Sequence, residues 1–168
     1  MRADEATALA DYRRRVHESY AQVRRGAKGA ATWERWREHR DLLFKTHVSS
    51  PIDHRDRGGF SGLSYFSHNP TYRFEADLQA LNAPPVEISH SGEGTTTFVP
   101  VGTISLAAIG IEETLSVYWL DTYGGGLFLP FRDATNGDTT YGGGRYLLDG
   151  AKGADLGSSA RRIVVDFN

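Results

Sequence analysis

Cysteine is absent from these 168 residues, which excludes disulfides and thiolate metal sites from the chain as given. Long apolar runs are missing too. None approaches the roughly 20 residues a helix needs to span a bilayer, so no membrane partner is expected. The opening MRADEATALADYRRR has no apolar stretch ahead of its arginines. It does not read as a secretory signal, and the expected compartment is the cytoplasm. Strong net charge is lacking as well, at −2, yet the charge is unevenly spread. Residues 1–57 carry 13 Lys and Arg against 9 Asp and Glu, whereas the remainder carries 6 against 12. A basic leading segment invites nucleic acid or acidic lipid, but no recognised nucleic-acid module accompanies it, and a solvated helical face explains it more simply.

Hydrophobic and charged contents of 39% and 24% are those of a globular chain with a core. Leu9, Tyr12, Val16, Tyr20 and Val23 recur every three or four residues, which predicts a helix from about Ala3 to Arg25. RGAKGAA interrupts the pattern with two glycines, and Thr32 is the expected N-cap of a second helix reaching about Thr46. Its apolar stripe is Trp33, Trp36, Leu43 and Phe44, which reads as core. Beyond Phe60 the period changes to two: YRFEADL alternates Tyr72, Phe74, Ala76 and Leu78 with Arg73, Glu75 and Asp77. PVEISH, TTTFVPVGTISL, TLSVYWLD, GLFLPFRD, GRYLLD and RRIVVDFN follow as short β-rich runs between turn residues. The predicted fold is α+β and mainly β: two N-terminal helices packed on an antiparallel meander, closed as a barrel or layered as a sandwich. One domain over 1–168 is expected, with a helical segment at 1–50 and a β body at 60–168.

TYGGG occurs twice, from Thr122 and from Thr140. A phosphate loop needs glycines that run into a helix, usually with a Lys; both triplets run into β-formers instead and lack the Lys. Gly124-Gly125-Gly126 reads as a hairpin turn. Asn136-Gly137 predicts a two-residue type I′ hairpin, with Thr135 facing Asp138 and Arg132 facing Tyr141. Gly142-Gly143-Gly144 then falls in the return strand as a bulge or a close backbone approach. LFLPF is apolar on both faces, so it is expected to be buried on both, with Arg132 and Asp133 at the rim of the core.

The block LFLPFRDATNGDTTYGGGRYLLD, followed by IVVDFN, closely resembles the signature of the family called domain of unknown function 1684. FKTHVSSPI, FSGLSYF and YRFEADL resemble matching segments of its shorter members, so the likeness spans the chain from about Trp33 onward. Longer relatives carry an extra β segment that is missing here. The family pattern continues past DFN into an Ala-Tyr-Asn-Pro-x-Cys-Ala-Tyr type of tail, which this sequence does not contain. The resemblance implies a family and assigns no activity, catalytic residue or cofactor.

Among chemistry candidates, His17 and His39 lack the i+4 partner of a zinc-binding helix. His47, Asp53 and His54 share a loop, but their spacing matches no ligand set, so no metal is expected. GLSYF, from Gly62, begins like a nucleophile elbow and fails at Phe66, which leaves a hydrolase as a distant alternative. The remaining constellation is Arg132, Asp133, Thr135, Tyr141, Gly143, Arg145, Asp166 and Asn168. As a site it offers two guanidiniums for a small anionic molecule, Tyr141 as a wall and bare glycine backbone beside them. As architecture it is an Arg132–Asp133–Asp166 network closing one end of the β body. A protein-interaction module using the Trp33/Trp36 helix is the competing class. No cofactor is implied, and oligomeric state is not indicated.

Overall fold

In the computed structural model, which describes residues 1–89 and 94–168, the 3.6-residue stripe becomes helix α1, Ala3–Arg25. Asp4 and Glu5 lie in its first turn and Arg24 and Arg25 in its last, each sign at the end of the helix dipole that favours it. Helix α2 spans Ala30–Thr46. Its N-cap is Gly29, not Thr32, because Gly29 adopts a φ of 136° that a side chain would strain. Thr32 instead donates its hydroxyl to the Ala27 carbonyl (2.6 Å) and fastens the connection between the helices. The two helices run antiparallel: Tyr20 meets Trp36 edge to face at 5.7 Å, and Tyr12 meets His47 at 5.3 Å. Among the described residues, no helix is long and apolar enough to cross a membrane.

Residues 1–70 with Asn168 form one compact unit and residues 71–167 a second. In the second, nine strands form among the described residues, most of them on the period-two segments: β1 Arg73–Asp77, β2 Gln79–Ala80, β3 Val86–Ser89, β4 Thr95–Ser105, β5 Thr114–Leu120, β6 Leu127–Phe131, β7 Arg145–Asp149, β8 Ser158–Ser159 and β9 Arg162–Asp166. The two-residue strands β2 and β8 are too short to leave a periodic signal. His90, at the end of the PVEISH run, lies outside the described residues.

Among the described residues, the named strands all pair antiparallel. One sheet has the order β2-β4-β5-β6-β7, with β3 also on β4; the other has β1-β9-β8. Ile104, Val117, Leu129 and Leu148 of the larger sheet share a single core with Ala76, Ile163 and Val165 of the smaller. The arrangement is sandwich-like, and the barrel alternative is not realised. The meander β4 to β7 does not close because the last strand pairs with β1 instead (Ala76↔Ile163, Phe74↔Val165). β9 is therefore a strand as expected, but it is the centre of the smaller sheet.

LFLPF is apolar on both faces, but the expected burial is complete only at Leu129, and Phe128 on the other face is half-buried. Leu129 is fully buried in the core. On the opposite face Phe128 joins an aromatic row, 5.4 Å from Phe98 and 5.8 Å from Tyr146, with Tyr118 6.1 Å from Phe98.

Candidate functional site

The loop from Arg132 to Gly144 joins β6 to β7, whose facing residues are Phe131 and Arg145. It is not the hairpin predicted above. Asn136-Gly137 does make a turn, with the Asp138 N–H donating to the Thr135 carbonyl (3.2 Å) and Gly137 at a φ of 87°. Asn136 keeps a negative φ, so the turn is not type I′, and no ladder extends from it to pair Arg132 with Tyr141.

Side chains take the place of the ladder. Asp133 Oδ1 accepts the Thr135 N–H (2.9 Å), and Asn136 Oδ1 accepts the Asp133 N–H (2.6 Å). The Thr135 carbonyl also receives the N–H groups of Thr139 (3.1 Å) and Thr140 (3.0 Å). Asp and Asn offer the backbone local partners that compete with strand pairing. Gly142-Gly143 consequently forms a turn of its own, closed by the Gly144 N–H on the Tyr141 carbonyl (3.1 Å).

The sequence-predicted residues divide into three groups. Asp133, Thr135 and Arg145 come together: Arg145 forms an ion pair with Asp133, reaches Thr135 Oγ1 at 3.4 Å, and lies over the Phe131 ring at 4.6 Å. Thr135 Oγ1 in turn bonds Asp133 and Thr140 Oγ1. Arg132 and Tyr141 form the outer part. Arg132 is exposed and donates to the Gly142 carbonyl (3.1 Å), and Tyr141 is 79% exposed.

The backbone at Gly143 is less open than its sequence suggests. A Cβ there would collide with the Tyr141 ring, so the missing side chain makes room for that ring. Asp166 belongs to neither group; it pairs with Arg73 (3.0 Å), both side chains only 15% exposed. The Arg132–Asp133–Asp166 network is thus replaced by two separate pairs, Asp133–Arg145 and Asp166–Arg73. Strand register decides this, since Arg73 faces Asp166 directly across β1 and β9. Asn168 Oδ1 accepts the Asn69 N–H (2.6 Å).

Two of the loop's metal candidates have other partners. His47 is buried, with Nε2 bonded to Asp11 Oδ2 (3.1 Å) and Nδ1 accepting the Ser49 N–H (3.0 Å). Asp53 pairs with Arg55 (2.9 Å). Sequence reasoning passed over Asp149, a buried carboxylate held by Lys152 at 2.7 Å. Its only signal is an acid ending a strand with a Lys three residues on.

The Thr135 hydroxyl, and then its N–H and the Arg145 charge, hold the Asp133 carboxyl below its ordinary value. A depressed folded value means that Asp133 contributes stability above the unfolded carboxylate pKa of about 3.9 and loses it as pH falls through the folded value. With its side chain 41% exposed, the contribution is that of a screened surface pair, under about 1 kcal/mol. Asp133→Asn should therefore melt below the parent at pH 6, and the gap should narrow in acid, below the unfolded carboxylate pKa of about 3.9. Parallel melting curves at pH 6 and in acid test it; a gap that stays as wide in acid would show that Asp133 acts without its charge.

No curated protein matches the chain. Among solved structures, the solution NMR structure of an uncharacterized protein of Haloarcula marismortui is 30% identical, with a TM-score of 0.49 over 82% of this chain and 75% of that one. The profile of one family matches residues 58–168, which takes in the whole β6–β7 loop and both TYGGG copies. On the strength of that match, which covers most of the sequence, the chain belongs to the family of proteins of unknown function DUF1684.

Proposed function

We propose that this protein binds a small anionic molecule at the β6–β7 loop, through Arg132 and with Tyr141 as the neighbouring wall. The observation that carries the reading is the state of Arg132. Its guanidinium is exposed and gives one N–H to the Gly142 carbonyl, whereas a guanidinium has five donors. A carboxylate or phosphate can take two of them in parallel. Asp133, Thr135, Gly143 and Arg145 act as positioning residues in this reading: the first two and Arg145 brace the loop, and Gly143 seats the Tyr141 ring. The acidic balance of the chain after residue 57 opposes polyanions and leaves a single anionic group acceptable.

The two arginines separate under mutation. Arg132→Ala should abolish binding of inorganic phosphate or acetate while moving the melting midpoint little, since one exposed hydrogen bond is worth about 1 kcal/mol or less. Arg145→Ala should lower the midpoint, because it strips Asp133 of its ion-pair partner and uncovers Phe131. Isothermal titration and melting of both variants decide the matter. No binding by the parent, or unchanged binding by Arg132→Ala, removes the site and leaves the loop as a structural clasp.

A further inference from the structure

Helix α2 carries Trp33, Trp36, Arg37, Arg40 and Phe44, and i,i+4 spacing puts Arg37 over Trp33 and sets Arg40 between Trp36 and Phe44. The Arg37 guanidinium lies 4.4 Å from the centres of both the Trp33 and Tyr65 rings. Arg40 lies 5.2 Å from Trp36 and from Phe44. Tyr65 closes the group, 6.3 Å from Trp33 and 6.1 Å from Trp36.

Four polar atoms of this cluster are buried without a hydrogen-bond partner: Trp33 Nε1, Arg37 Nε, Arg40 Nε and the Tyr65 hydroxyl. All four are donors in the neutral range; burial pushes the Tyr65 phenol up to about 12, so it keeps its proton. Neither guanidinium forms an ion pair among the described residues. Asp41, the nearby acid on the same helix, accepts the Leu63 N–H with Oδ1 (3.1 Å). Buried donors without acceptors and half-buried guanidiniums without an ion-pair partner are costly, and the aromatic faces offset only part of that cost.

We infer that the Trp33–Arg37–Arg40–Tyr65 cluster is a second binding site, which takes an oxyanion group, carboxylate or phosphate, as the missing acceptor. An oxyanion supplies both what the cluster lacks, acceptor lone pairs and negative charge. The site lies wholly in the helical unit and does not depend on the β6–β7 loop.

Trp33 and Trp36 report on it directly. The intact chain is titrated with inorganic phosphate and, separately, with acetate, against potassium chloride at matched ionic strength. Tryptophan emission and the melting midpoint are followed. At least one oxyanion should give a saturable emission change and a rise in midpoint, as expected for a ligand that binds only the folded state. Arg37→Met and Arg40→Met, which keep an apolar stem against the rings, should each weaken that response at least tenfold while remaining folded. Arg132→Ala should leave it intact. Response to phosphate alone, or to acetate alone, supports the site and names its chemistry. No response beyond chloride, an unchanged response in folded Arg37→Met and Arg40→Met, or loss of the response in Arg132→Ala would each overturn it.

Discussion

A chain ending at Leu156 should lose the cooperative unfolding transition of the parent. The truncation removes β8 and β9, and β9 is the middle strand of its sheet, so β1 loses every ladder bond it makes there. Ile163 is 3% exposed and Val165 fully buried, and both belong to the core shared with the larger sheet. Phe167, partly buried, stacks 6.5 Å from Phe74 and meets Phe131 edge to face at 5.2 Å. Burying two aliphatic side chains and part of an aromatic one stabilises by about 4–6 kcal/mol. That is a large share of the ~5–15 kcal/mol that holds a typical domain together. Thermal unfolding followed by circular dichroism tests it, with Ile163→Ala as the milder case at about 2–5 kcal/mol. A truncated chain with the parent midpoint would show that the strand is dispensable.

The two ends of a single glycine triplet should respond unequally. Gly126→Ala should destabilise by about 2–5 kcal/mol, from backbone strain together with overpacking. Gly126 adopts a φ of 144°, and a Cβ there would lie 2.7 Å from the Ala151 nitrogen and 2.8 Å from the Gly150 carbonyl carbon. Both are backbone atoms, which cannot swing aside as a side chain can. Gly124 has negative φ and open space around its would-be Cβ, so Gly124→Ala should melt within a degree or two of the parent, as a surface change of about 0.5 kcal/mol or less does. Equal midpoints for the two variants would show that the close approach at Gly126 relaxes at little cost.

The repeated TYGGG shows how far local sequence reaches. Its first copy is the connection between two paired strands, β5 and β6, as β-formers on both sides of the glycines require. Its second copy misleads, because Asn136-Gly137 carries a strong hairpin signal while Asp133 and Asn136 supply competing partners for the same backbone. Turn propensity counts only the two turn residues and their backbone; the capture of the Asp133 and Thr135 N–H groups depends on the side chains of Asn136 and Asp133. The binding candidates divide in the same way. Arg132 and Arg145 look equivalent in sequence, yet Arg145 faces Phe131 across the ladder and is drawn onto its ring and into Asp133.

The sequence by itself determined the elements: two amphipathic helices, the β runs with their inward Ile, Val and Leu, and the family to which they belong. Periodicity is a local property, and burial of one face enforces it wherever the partner layer lies. Only the tertiary structure decided that the sheets stack without closing into a barrel, that Asp166 belongs to Arg73, and that Tyr65 comes to lie against Arg37 and Trp33. Each of these is a pairing between residues distant in sequence or on different faces. Strand register and side-chain packing choose such partners, and neither leaves a trace in spacing along the chain.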